Sequence, residues 1–147
     1  MKVLPFAFDI RSRKECEAFT KEVSTIPITV LINNAGLAAG RESFAEANVD
    51  DWEAMIDTNV KGLLYITRGI LPGMVARKNG HIVNLGSIAG HAVYPNGSVY
   101  CATKFAVRAL NESLRIDTLG SGIRVTSIDP GMTETEFSLV RFKGDSH

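Results

Sequence analysis

Short apolar runs alternate along the chain with longer stretches whose apolar positions recur at helical spacing. Val3 to Phe8 is apolar, closes at Asp9 and reads as a strand, and Pro5 within it argues for a sheet edge, where a missing N–H is tolerated. Arg11 to Thr25 mixes spaced apolar and charged residues and predicts an amphipathic helix. Ile28 to Ile32, behind Pro27, is a β-branched run that fits a buried parallel strand. Glu42 to Asp50 reads as a loop or short helix. A long helix is expected from about Asp51 to about Lys78, with Asp50 or Asp51 as N-cap, Gly80 closing it and Pro72-Gly73 kinking it late. His81 to Leu85 is a further strand, Ser98 to Leu119 a further helix with Ala106, Leu110 and Leu114 on one face, and Ile123 to Ile128 a last strand.

Three of these strands end in residues suited to meeting a ligand. Asn33-Asn34-Ala35-Gly36 follows the second run, Gly86-Ser87 the third, and Asp129-Pro130-Gly131 the fourth. Small residues there let backbone approach a bound molecule closely, and asparagines can hold the turn. Ligands of open α/β sheets lie beyond the carboxyl ends of the strands, so the pattern points to one site at one edge.

The sharpest chemistry lies between Gly86 and Lys104. Tyr100 stands 13 positions after Ser87, and Lys104 four positions after Tyr100. The i,i+4 spacing puts a phenol and an ammonium on one helical face. A free tyrosine, with a pKa of roughly 10, is too weak an acid for proton transfer near neutrality. A cation ~4 Å away at an effective dielectric of ~20 contributes about 4 kcal/mol, or roughly three pKa units before the lysine's own desolvation is subtracted. A tyrosine poised for general acid/base work is the expectation.

Ser87 with Tyr100-Cys101-Ala102-Thr103-Lys104 resembles the Ser and Tyr-x-x-x-Lys signature of the short-chain dehydrogenase/reductase family. Asn33-Asn34-Ala35-Gly36, Asn59-Val60-Lys61-Gly62 and Pro130-Gly131 stand in the family's order, and the similarity runs over essentially all of the chain. The resemblance implies an α/β fold, a partial Rossmann-type doubly wound parallel sheet with flanking helices. It implies NAD(P)-dependent hydride transfer between a nicotinamide and a hydroxyl or carbonyl carbon. Tyr100 would be the proton-transfer residue, Lys104 would lower its pKa and hold the nicotinamide ribose, and Ser87 would hydrogen-bond the substrate oxygen. Asn59 would distort its helix to support proton resupply. Asp9 and Ile10 would meet the adenine, although Asp9 also reads as a cap of the next helix. Asn33, Ala35, Gly36, Pro130, Gly131, Met132 and Thr135 would line the cofactor. SVYCATKFAVRAL and EFSLVRFKGD are similar to the subgroup acting on serine and other 3-hydroxy acids, which favours NADP ahead of NAD. Arg141 would then pair with a substrate carboxylate.

At 147 residues the chain is about one domain, 1–147, whereas a doubly wound nucleotide-binding enzyme usually takes ~200 or more. It reads as one incomplete dinucleotide-binding domain, truncated at both ends. The family's Thr-Gly-x-x-x-Gly-x-Gly cradle does not occur in the sequence, and Gly36 and Gly40 do not match it. Losing the strands around that motif would leave Val3 to Phe8 displaced, disordered or paired elsewhere. A catalytically inactive fragment or scaffold, keeping only the family's dimerisation helices, is therefore the competing expectation.

Charge and composition change little in this picture. Lys plus Arg equal Asp plus Glu at 16 each, which argues against nucleic-acid or anionic-membrane binding. Cys16 and Cys101 read as reduced and structural, and His81, His91 and His147 form no ligand cluster, so no metal is expected. No signal peptide or membrane span is legible, and a cytoplasmic location is expected. The family's habit of pairing two long helices implies a homodimer or homotetramer through helices 51–78 and 98–119.

Overall fold

The computed structural model describes residues 2–40 and 42–131. Helix α1 (Arg13–Glu22) is followed by a single 3-10 turn, Val23–Thr25, and leads to strand β1 (Val30–Asn33). Helix α2 (Val49–Ile56) runs through a π-helical turn, Asp57–Gly62, into helix α3 (Leu63–Ala76). Strand β2 (Gly80–Leu85), a 3-10 turn at Ile88–Gly90, helix α4 (Ser98–Asp117) and strand β3 (Ile123–Ile128) complete the order. The strands form a parallel sheet, β1-β2-β3, joined by helical crossovers, as expected of an α/β fold.

Register decides where the site lies. Asn33 pairs with Asn84, and Leu85 with Ile128, so the three strands end at nearly one level. The turns that follow them are therefore delivered side by side.

One face of the sheet carries the larger core. Ile82 and Val125 pack with Cys16, Val23, Ile66, Ile70 and Met74 from α1, its 3-10 extension and α3. A second cluster, Ala38, Met55, Ala89, Tyr100 and Cys101, sits at the carboxyl edge and seats the tyrosine ring. Cys16 and Cys101 are both free thiols inside these clusters.

Several expected boundaries shift for identifiable reasons. β1 is not buried on both sides: Val30 and Ile32 are 52% and 59% exposed, because the described helices contacting β1 lie on the face of Leu31 and Asn33. The long helix is capped by Asn48, whose Oδ1 accepts from the Asp50 N–H at 2.9 Å, rather than by Asp50 or Asp51. It closes at Lys78, in the left-handed region at φ 52°, with the Asn79 N–H bonded to Met74 O, and Gly80 instead opens β2. Val3 to Phe8 is not a strand, since β1 pairs with β2 alone among the described residues. Phe6 and Phe8 rest on Phe19, at ring-centroid distances of 5.2 and 4.7 Å. Ser12, not Asp9, caps α1.

Candidate active site

The turns beyond β1, β2 and β3 converge on the first two turns of α4, where Tyr100 and Lys104 share one buried face. Lys104 is 8% exposed, its Nζ donates to Leu85 O at 2.9 Å, and it stands 5.8 Å from the centroid of the Tyr100 ring. Burial pushes its ammonium below the ordinary lysine value, against the pull of the Asp129 charge. A cation held here at partial cost in hydration is available to polarise its neighbours strongly.

Asn59 lies where two helices join. An asparagine inside a helix competes for backbone groups, and α2 and α3 are joined by a π-helical turn at this residue. Asn59 is 3% exposed. Its Oδ1 accepts from the Leu37 N–H at 2.8 Å, and its Nδ2 donates to Leu37 O at 2.8 Å and to Thr103 Oγ1 at 3.1 Å. The side chain thus clamps the turn after β1 and ties it to the tyrosine helix, where Thr103 Oγ1 donates in turn to Tyr100 O at 2.8 Å.

That clamp explains Gly36. A Cβ there would stand 3.3 Å from Asn59 Oδ1 and 3.8 Å from Lys104 Nζ, so the backbone of this turn lies over the ammonium. Ser87 has extended backbone, and its Oγ accepts from the Ala89 N–H at 3.1 Å, starting the 3-10 turn. Gly86 N–H donates to Ile128 O at 2.8 Å and Ile88 N–H to Pro130 O at 3.1 Å, which lashes the ends of β2 and β3 together on both sides of the serine.

Not every expected residue joins this cluster. Asn33 turns its amide inward, donating to Thr67 Oγ1 at 2.9 Å and Asn84 Oδ1 at 2.8 Å, and Asn84 passes the chain on to Asn111. Its side chain therefore holds the sheet to α3 and α4. Asp9 is engaged by Arg11, whose guanidinium holds its carboxyl down to about 2, and Ile10 lies against Gly62 of the π turn. Ala35 is exposed on the turn after β1. Met132, Thr135 and Arg141 lie outside the described residues.

Sequence reasoning missed five members of the site. Thr103 and the Leu37 and Leu85 backbones carry no motif of their own. Asp129, read only as the end of a strand, accepts from Ser127 Oγ at 2.7 Å and from His91 Nε2 at 3.0 Å. His91, read as an ordinary loop residue, is its partner.

The sequence profile described as short chain dehydrogenase matches residues 1–144. The chain belongs to the short-chain dehydrogenase family. An NADP-dependent 3-hydroxy acid dehydrogenase of Salmonella typhi is 52% identical over 149 residues, covering 97% of this chain and 59% of that protein. The fission yeast Schizosaccharomyces pombe has an NADP-dependent 3-hydroxy acid dehydrogenase that is 45% identical, with 99% of this chain and 57% of the relative covered. The closed form of a serine dehydrogenase complexed with NADP+ superposes with a TM-score of 0.90 at 52% identity, over 94% of this chain and 57% of that one. The chain therefore spans less than two thirds of the length of these short-chain dehydrogenases.

The described residues fit the nicotinamide-ribose half of such a cofactor. Lys104 is buried and has three donors, of which Leu85 O takes one among the described residues. The Gly36 turn lets backbone pass closely above it. Among the described residues no cluster of three or more His, Cys, Asp or Glu is built to hold a metal, and no helix is long and apolar enough to cross a membrane.

Proposed function

We propose that this short-chain dehydrogenase is an NADP-dependent oxidoreductase acting on the hydroxyl-bearing carbon of a small 3-hydroxy acid such as serine. The observation that carries the reading is the seating of Tyr100 and Lys104 on one buried face of α4, beside Ser87 at the carboxyl end of β2. The names of the relatives supply the substrate class and the preference for NADP over NAD. The bound cofactor supplies the hydride acceptor or donor; everything else falls to this chain.

Tyr100 Oη takes the substrate's hydroxyl proton in oxidation and returns it in reduction. The Lys104 ammonium favours the phenolate and offers its remaining donors to the ribose hydroxyls. Ser87 Oγ hydrogen-bonds the reacting oxygen, and Asn59 keeps the π turn and the Leu37 turn in place above the lysine. Ala35, Gly36, Pro130, Gly131, Met132 and Thr135 line the cofactor in this reading, and Asp9 and Ile10 stand near its adenine end. Arg141 pairs with the substrate carboxylate by a bidentate contact. The dehydrogenase names of the relatives support this reading ahead of an inactive scaffold.

Titration of the purified protein with NADPH and NADH, read by quenching of Trp52, tests this. Saturable binding, tighter for NADPH, is expected, followed by turnover of L-serine or 3-hydroxypropionate well above that of an alcohol lacking the carboxylate. Absence of binding up to millimolar cofactor would overturn the catalytic reading, and equal rates with and without the carboxylate would overturn the substrate class.

The assembly belongs to the same proposal. Leu64 and Val75 on α3 and Phe105 and Ile116 on α4 are exposed, Ile116 by 74%, and a second copy would cover such apolar helix faces. A homodimer or homotetramer through helices 51–78 and 98–119 is expected by light scattering at tens of micromolar. A monomeric mass there would sink the idea.

A further inference from the structure

We propose that Asn84 and Asn111 are positioning residues: a buried amide pair that seats the helix carrying Tyr100 on the strand leading to Ser87, and so sets how the two side chains face each other. The catalytic consequence rests on the oxidoreductase reading above; the positioning itself does not.

On the helix-covered face of the sheet, register places Leu31, Ile82 and Val125 in one row and Asn33, Asn84 and Ser127 in the next, nearer the carboxyl ends of the strands. The first row belongs to the core, and the second is polar. Asn84 is 0% exposed within it, and Asn111 of α4 is 5% exposed. Asn33 Nδ2 donates to Thr67 Oγ1 at 2.9 Å and to Asn84 Oδ1 at 2.8 Å, and Asn84 Nδ2 donates to Asn111 Oδ1 at 3.0 Å. The amides thus join β1, α3, β2 and α4 in one chain. A parallel strand under a helix usually carries apolar residues at such places. An apolar pair of similar shape is commonly as stable as a buried polar one, whereas half of a polar pair is not. Stability does not call for these amides; a fixed seating does.

What the pair fixes follows from where it stands. Ser87 comes three residues after Asn84, about 10 Å along extended chain. Lys104 comes seven residues before Asn111, about 10 Å along α4, on the same buried face, with Tyr100 one turn further. Both elements therefore run from this contact to the site. Two other side-chain bonds reach α4 near the site. Asn59 to Thr103 ties the helix to the π turn rather than to β2. Lys104 Nζ to Leu85 O does reach β2, but through a flexible four-carbon stem. Among the described residues, the amide pair is the short side-chain hydrogen bond between β2 and α4. Val107, 1% exposed, fills the buried face of α4, yet apolar contact has no preferred direction and lets a helix roll slightly. A hydrogen bond between two short side chains is directional, and a single buried asparagine can set the register of packed helices. A misplacement of about 1 Å at a reacting centre costs on the order of 10²-fold in rate.

Two variants separate positioning from stability. Asn111→Ala leaves the Asn84 amide buried without its acceptor and is expected to lower Tm by about 5 °C. The double variant Asn84→Val/Asn111→Ala removes both partners at nearly unchanged summed volume, and Asn33 keeps Thr67 as an acceptor. It is expected to melt within about 3 °C of the wild type. Its kcat is nevertheless expected to fall by about 10²-fold, with the dissociation constant for NADPH held within about threefold, because Asn59 still ties the turn over Lys104 to α4. A readout independent of turnover is the amide NMR spectrum. Ser87 and Tyr100 are expected to give one sharp resonance each in the wild type and split or broadened ones in the double variant, as α4 seats in more than one way. A double variant whose kcat stays within about threefold of the wild type would overturn the proposal, and so would unshifted single resonances at both residues. If the double variant does not fold, Asn111→Ala, studied about 10 °C below its own melting point, decides by the same two measures. If the wild type turns over no substrate, the oxidoreductase reading fails and the resonances alone decide the positioning.

Discussion

Tyr100→Phe is expected to reduce turnover by about 10³-fold or more while leaving the fold and the affinity for NADPH nearly unchanged. The ring is packed with Ala38, Met55, Ala89 and Cys101, and the substitution retains every carbon of it. What it removes is the phenolic oxygen that would carry the substrate's hydroxyl proton in the proposed mechanism. General acid/base groups contribute about 10²–10⁴-fold, and hydride transfer from an alcohol that cannot shed its proton falls at the upper end of that range. The check is kcat with a 3-hydroxy acid, beside a thermal melt and an NADPH titration on the same preparation. Turnover within tenfold of the wild type would refute the assignment of Tyr100, and loss of both melting and binding would show a packing effect instead.

Lys104→Met is expected to act in opposite directions on activity and stability. Activity should fall by about 10²-fold or more, since the variant loses the cation that in the proposed mechanism would favour the phenolate and hold the ribose. Stability near neutral pH should rise, by a few degrees in Tm. Lys104 is buried, and burial depresses its pKa below the ordinary 10.5. Between the folded and the unfolded value the unfolded chain binds more protons, so in that window wild-type stability climbs as pH rises. Below the folded value the full cost of burying the charge is present, and methionine, similar in length and apolar, removes it. The loss of the charge facing Asp129 offsets only part of this gain. The melting advantage of the variant should therefore be largest near neutrality and shrink as pH approaches 10.5. A variant that melts below the wild type at pH 7 would contradict the stability half, and one that keeps its rate would contradict the catalytic half. Sites that trade stability for function in this way are common where a charge is held ready in a dry place.

Both predictions concern residues visible from spacing alone. Tyr100 and Lys104 are one helical turn apart, and a helix needs nothing beyond its own four residues to bring them to one face. Ser87 at the end of an apolar run was legible for the same reason, because β2 is a local pattern. Asn59 was legible as a misfit within a helix, and the π turn is the form that misfit takes. Its partners were not, since Leu37 lies 22 residues before it and Thr103 44 residues after. Val3 to Phe8 has the composition of a strand, but an apolar run forms one only where a neighbouring strand is there to pair with it, and the expected displacement is what the structure shows. Asn33 misled: a motif residue in a ligand-facing turn spends its side chain on Thr67 and Asn84 inside the sheet.

The sequence by itself determined the α/β order of elements, because each element depends on its own periodicity, and the spacing that puts Tyr100 and Lys104 on one face of α4, while its motifs in order carried the resemblance to the family. The tertiary structure alone decided which groups hold those residues in place. Asp129 and His91 are 38 positions apart, and Asp129 lies against Gly86 only because β2 and β3 run parallel in a register that pairs Leu85 with Ile128. A register shifted by one residue would turn every side chain of β3 to the other face and break that arrangement. No stretch of sequence carries the register, which is set by the joint burial of Ile82, Val125 and the helices that cover them.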